Sequence, residues 1–137
     1  MKTTKCTFST RERDMRCWVI ESNWLLYLAR FILSGGIAYT LTAGTRAMSL
    51  MWVIIAKPGI MFEQIGNRIE YTQVMRHEAI HIVQQREGWL LKFLAQYVYW
   101  LIRRGYWKNP FEVEAYKHDG EKYYLLKRNK NDWRKYI

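Results

Sequence analysis

Apolar residues recur on several sides of the stretch 71–87 (Val74, Met75, Ala79, Ile80, Ile82, Val83), which predicts a central, buried helix that Gly88 ends. Residues 89–104 read as a second helix. It is free of charge and apolar all round from Phe93 to Ile102, and Arg103-Arg104-Gly105 suits its C-terminus. Asn109 and Pro110 open a third helix as N-cap and first helical residue, and Gly120 interrupts it after Asp119. Upstream, residues 18–33 are rich in Leu and aromatics, with Ser22 or Asn23 to cap a helix that Gly35-Gly36 breaks. Residues 37–41 and 48–55 have strand composition, with 42–46 as a hairpin connection and Lys57-Pro58-Gly59 as a closing turn. The pattern predicts an α+β fold dominated by helix, with at most one small hairpin or sheet. Residues 1–17 read as a basic N-terminal arm ahead of a single domain over 18–137, and a polar, basic helix or tail ends the chain.

Size and composition agree with one domain. The chain has 137 residues, half of them hydrophobic, which excludes wholesale disorder. The net charge of +10 is concentrated at both ends and suits acidic partners: nucleic acid, an anionic membrane surface or an acidic protein. No motif that reads nucleic acid accompanies it. Residues 31–56 carry a single charge, Arg46, yet Gly35, Gly36 and Gly44 dilute their hydrophobicity, and Arg46 would fall mid-membrane; they read as β structure rather than a span. Residues 89–102 would rise about 21 Å, too short for a bilayer core of about 30 Å. That aromatic helix can pack in the core, lie in a membrane interface or form a contact between copies. Cys6 and Cys17 leave open whether they pair, and no secretory signal is evident, so a reducing, cytoplasmic setting is expected.

The chemistry lies in His77-Glu78-Ala79-Ile80-His81. On a helix, positions 77 and 81 lie about 40° apart around the axis and about 6 Å along it, so two imidazoles can converge on one zinc ion. Glu78 projects beside them, where it can exchange a proton with a water held there. A third ligand must come from elsewhere. Glu112 and Glu114 open the helix after Asn109, about 200° apart around it, so only one can face the metal. Glu112 shares its side with Ala115, Tyr116 and Asp119. Glu114 shares its side with Lys117, His118 and Glu121, which reads as a wet face. Glu112 is therefore the expected ligand and Glu114 the alternative. Gln84 and Gln85 follow one turn after His81 and can line the cleft or hold a ligand. Tyr116 and Tyr123 can donate to an oxyanion, and 48–55 can be an edge strand that receives an extended peptide.

With Gln84-Gln85 and Asn109-Pro-Phe-Glu-Val-Glu-Ala-Tyr116, the motif resembles the glutamate zincins. More closely, it resembles a group of small zincin-like metallopeptidases from Bacteroidetes bacteria and their phages, over about residues 71–137. The resemblance implies a minimal zincin-like domain with Zn2+ on His77, His81 and Glu112, and Glu78 in acid–base work. It implies hydrolysis of a peptide or protein substrate, and a virion setting if the chain is phage-derived. Many glutamate zincins carry an acidic residue four positions after the ligand Glu, supporting a ligand His. Here that position is Tyr116, so Asp119 or Gln85 must take over the support. The departure keeps an alternative open: a non-catalytic structural or binding component of a larger assembly or homo-oligomer, built on the same fold.

Overall fold

The computed structural model describes residues 1–34 and 47–137. The first two elements are strands, β1 (Lys2–Ser9) and β2 (Asp14–Glu21), paired antiparallel with Cys6 opposite Cys17. Cys6 and Phe8 on one strand, and Met15, Cys17 and Val19 on the other, point into the core, while the intervening Lys, Thr and Arg residues face outward. This corrects the expected N-terminal arm. The period-two pattern is carried by small, sparse hydrophobics, and the turn is made by Thr10, whose hydroxyl accepts from the Arg13 N–H, without Gly or Pro to mark it.

Both cysteines are free thiols in this core. Burial pushes the Cys17 thiol up to about 12 from an ordinary 9.0, helped by the neighbouring Cys6. The folded protein should therefore be inert to a colorimetric thiol reagent at pH 8 and release two reactive thiols on unfolding. Because the folded state holds the proton more tightly, this contribution to stability is complete below about pH 9 and declines as the pH rises towards 12. Fast titration of the native protein would contradict the burial.

Helix α1 (Asn23–Ser34) starts under a Ser22 cap, whose Oγ accepts from the Leu25 N–H. It begins at the cap the sequence offers, while residues 18–21 of the Leu- and aromatic-rich stretch belong to β2. The expected strand over 37–41 and its connection over 42–46 lie outside the described residues. The expected strand over 48–55 is two strands, β3 (Ala47–Leu50) and β4 (Val53–Ala56), folded antiparallel about a turn at Met51, whose φ is +43. Gln85 accepts from the Met51 N–H and Arg86 donates to the Met51 carbonyl, so the helix that carries the histidine motif holds this left-handed residue in place. Strand β4 lies parallel to β2, giving one four-stranded sheet in the order β1-β2-β4-β3. A second hairpin, β5 (Phe62–Ile65) and β6 (Arg68–Tyr71), turns at Gly66 with φ +61. The sheet content therefore exceeds the one small sheet expected, though the class is α+β as read.

The helix α2 (Gln73–Gly88) is capped by Thr72, which accepts from the Met75 N–H. Met75, Ala79 and Ile82 pack on the sheet, while Ile80 packs with Ala115 and Tyr124, so α2 is central as its all-round apolar pattern requires. It ends at Trp89 (φ +77) rather than in a glycine turn at Gly88. Helix α3 (Leu90–Arg104) closes at Gly105 (φ +78), whose N–H reaches the Leu101 carbonyl. Helix α4 (Pro110–His118) starts as the sequence dictates, with Asn109 Oδ1 accepting from the Phe111 N–H. The C-terminus is no loose tail: a short α5 (Tyr124–Lys127) and a 3-10 turn (Asp132–Tyr136) place Trp133 flat against Phe111, ring centroids 4.2 Å apart. Among the described residues no helix is long and apolar enough to cross a membrane.

Candidate metal centre

One turn of α2 separates His77 from His81, and the first turn of α4 brings Glu112 beneath both. His77 Nε2 lies 3.1 Å from His81 Nε2, and Glu112 Oε2 lies 3.2 Å from the first and 3.3 Å from the second. All three residues are buried.

The remaining atoms of these side chains are occupied, which fixes what the inner three present. Glu112 Oε1 accepts from the Tyr97 hydroxyl at 2.7 Å. His77 Nδ1 donates to Asp119 Oδ2 at 3.3 Å, a carboxylate being able only to accept. Gln84 Nε2 donates to the Phe111 carbonyl and to Glu114 Oε2, so its oxygen is the atom facing His81 Nδ1 at 2.8 Å. That Nδ1 is therefore a donor too. In their neutral form both imidazoles then offer an Nε2 lone pair to the same point as a carboxylate oxygen. Three acceptors in a nearly equilateral triangle cannot satisfy one another by hydrogen bonds; they need a cation or a proton between them. A tetrahedral zinc with bonds of about 2.0–2.1 Å keeps its donors about 3.3 Å apart, so the donor set and its spacing fit that ion.

The electrostatics show the same tension. Burial alone would push the His81 pKa down, but the Glu112 charge and hydrogen bond, with Glu78 adding to them, lift it to about 9. Burial would raise Glu112, yet His81 and His77 hold it well below the usual carboxylate range. Burial and the Glu112 charge push the Tyr97 and Tyr106 phenols far up, so Tyr97 stays a hydrogen-bond donor.

Around the triangle, the supporting residues differ from the expected set in part. Asp119 holds His77 and is itself held by Gln73 Nε2 at 2.7 Å. Gln84, not Gln85, holds His81; Gln85 donates to the Ser49 carbonyl and serves the β3–β4 turn. Tyr116 packs its ring on His77, centroids 4.4 Å apart, and pairs its hydroxyl with that of Tyr106 at 2.9 Å. Tyr123 is mostly exposed and bonds to none of the three donor residues. Glu78 is buried beside the pair, and among the described residues nothing hydrogen-bonds to its carboxylate. His118 stacks on Tyr124 and bonds Glu121 and Tyr136, away from the triangle.

Glu114 corrects the sequence reading most sharply. It is not on a wet face: it is 0% exposed and ion-paired to the equally buried Arg128. Helix α4 is wedged between α2 and the C-terminal segment, so both of its carboxylates are inside: Glu112 meets His77 and His81, and Glu114 meets Arg128 and Gln84. Tyr97 and Tyr106 also belong to the surroundings of the site, and nothing in the sequence separates them from the other eight tyrosines. No protein-family model, curated protein or solved structure matches the chain.

Proposed function

We propose that this chain is a zinc-dependent peptidase of minimal zincin type, with His77, His81 and Glu112 as ligands and Glu78 as the acid–base residue. The observation that carries it is the triangle of two Nε2 lone pairs and one carboxylate oxygen with an uncommitted carboxylate beside it. The order of elements, with the motif helix against a sheet and the Glu-bearing helix packed on its other side, supports the zincin assignment.

Zinc, when bound, would acidify water and polarise a substrate carbonyl. Glu78 takes the proton of the attacking water and hands it to the leaving amine. Tyr97 keeps Glu112 turned so that one oxygen is engaged and the other free. Asp119 and Gln84 fix both imidazole tautomers. Tyr116, whose ring packs on His77 and whose hydroxyl pairs with that of Tyr106, can donate to a developing oxyanion.

Metal analysis of protein purified without chelator, followed by digestion of a peptide library, tests this. About one zinc per chain and chelator-sensitive cleavage are expected. If no transition metal is found and zinc titration shows no binding, the reading is rejected. Zinc without cleavage would move the protein to the non-catalytic alternative.

A further inference from the structure

Helix α3 is apolar on two opposite faces, and among the described residues only one of them packs against other elements. Phe93, Tyr97 and Trp100 turn towards Phe111, Trp133 and Glu112. About half a turn away, Leu91, Ala95, Val98 and Ile102 follow one another at helical spacing and face outward. Leu91 is 61% exposed, Val98 50% and Ile102 79%. Tyr99 stands on the same side, half exposed. Exposed Trp89 and Trp107 flank the helix at its two ends.

The charges along this segment are of one sign. From Gly88 to Phe111 there is no Asp or Glu, while Lys92, Arg103, Arg104 and Lys108 are all exposed. Lys92 and Arg103 border the apolar stripe along one edge; Arg104 is turned back over Trp100 and donates to the Tyr136 carbonyl. Two copies joined antiparallel through this stripe would set cation against cation, and in either orientation the helix offers no acid to pair with a partner's cations. Nucleic acid would meet the cations but leave the aliphatic stripe with nothing apolar to bury against. An anionic lipid surface satisfies both: acyl chains for Leu91, Val98 and Ile102, headgroups for Lys92 and Arg103, and the interfacial zone for the tryptophans.

We infer that the outer face of α3 docks on an anionic lipid surface, the helix lying in the plane of the interface. At 15 residues it is about 22 Å long and lies on the bilayer rather than through it. The inference uses no property of the metal centre, which is on the opposite side of the helix.

Vesicle co-sedimentation of the full chain tests it. The protein should pellet with vesicles of phosphatidylcholine and phosphatidylglycerol in equal parts, far less with phosphatidylcholine alone, and less as salt is raised. Ile102→Glu should lower the partition coefficient at least about tenfold, the scale set by one buried aliphatic side chain, without changing thermal stability. The double variant Lys92→Glu, Arg103→Glu should lose the preference for anionic vesicles. Wild-type protein that stays in the supernatant with anionic vesicles at low salt overturns the proposal. Equal binding by Ile102→Glu overturns it too. A concentration-dependent dimer that Ile102→Glu dissolves, without vesicle binding, would assign the face to a second copy instead.

Discussion

Glu78→Gln should keep its zinc and lose peptide hydrolysis by about 100- to 10,000-fold, the span of a lost general acid–base catalyst. The amide has the shape of the carboxylate, so the packing around this position of α2 is preserved. It cannot accept the proton of the attacking water. Glu78 is well placed to show this effect in isolation, because nothing among the described residues hydrogen-bonds to its carboxylate and no support is withdrawn from the ligands when it changes. His77 and His81 keep Asp119 and Gln84, and Glu112 keeps Tyr97. Metal content and thermal midpoint, measured beside the rate, establish that only chemistry was removed. An unchanged rate with zinc bound would take Glu78 out of the mechanism.

What could be read from the sequence depended on how local its cause was. The histidine pair was legible because one helical turn fixes both residues, and the α4 start was legible because Asn109 and Pro110 cap it on the spot. Glu112 followed from those two. The N-terminal hairpin was not, since its core residues are Cys, Met and single aromatics between Lys, Thr and Arg, and its turn lacks glycine. The β5–β6 hairpin does carry a local sign, Gly66-Asn67 between two short apolar-polar runs. The parallel pairing of β2 with β4 joins residues more than thirty positions apart, and no local pattern encodes it. The supports of the metal centre failed for the same reason. Tyr97 reaches Glu112 from a helix that the sequence marks only as aromatic. Asp119 was among the residues expected to support a ligand, but Gln84 and Gln85 could not be told apart, because their roles depend on whether the neighbour is Phe111 or Ser49.

The two carboxylates of α4 should fail in different ways, and the contrast tests both the centre and the corrected packing. Glu112→Ala removes one of the three proposed ligands and leaves two imidazole lone pairs without their anionic partner, so zinc affinity should fall by orders of magnitude. The fold should survive, because the neutral histidines keep Asp119 and Gln84. Glu114→Ala instead leaves the Arg128 guanidinium buried with only Glu87, 2.8 Å away, and strips one acceptor from Gln84. Breaking a buried pair costs about 3–5 kcal/mol; with Glu87 still in place the lower end is expected. For a domain of this size that is a drop of about 10 °C in the thermal midpoint. Zinc affinity should fall far less than in Glu112→Ala, by about 10- to 100-fold, because Gln84 then holds His81 less firmly. Zinc titration and thermal unfolding of the two variants separate the cases. A Glu114 variant that loses zinc outright, beside a Glu112 variant that keeps it, would make Glu114 rather than Glu112 the third ligand.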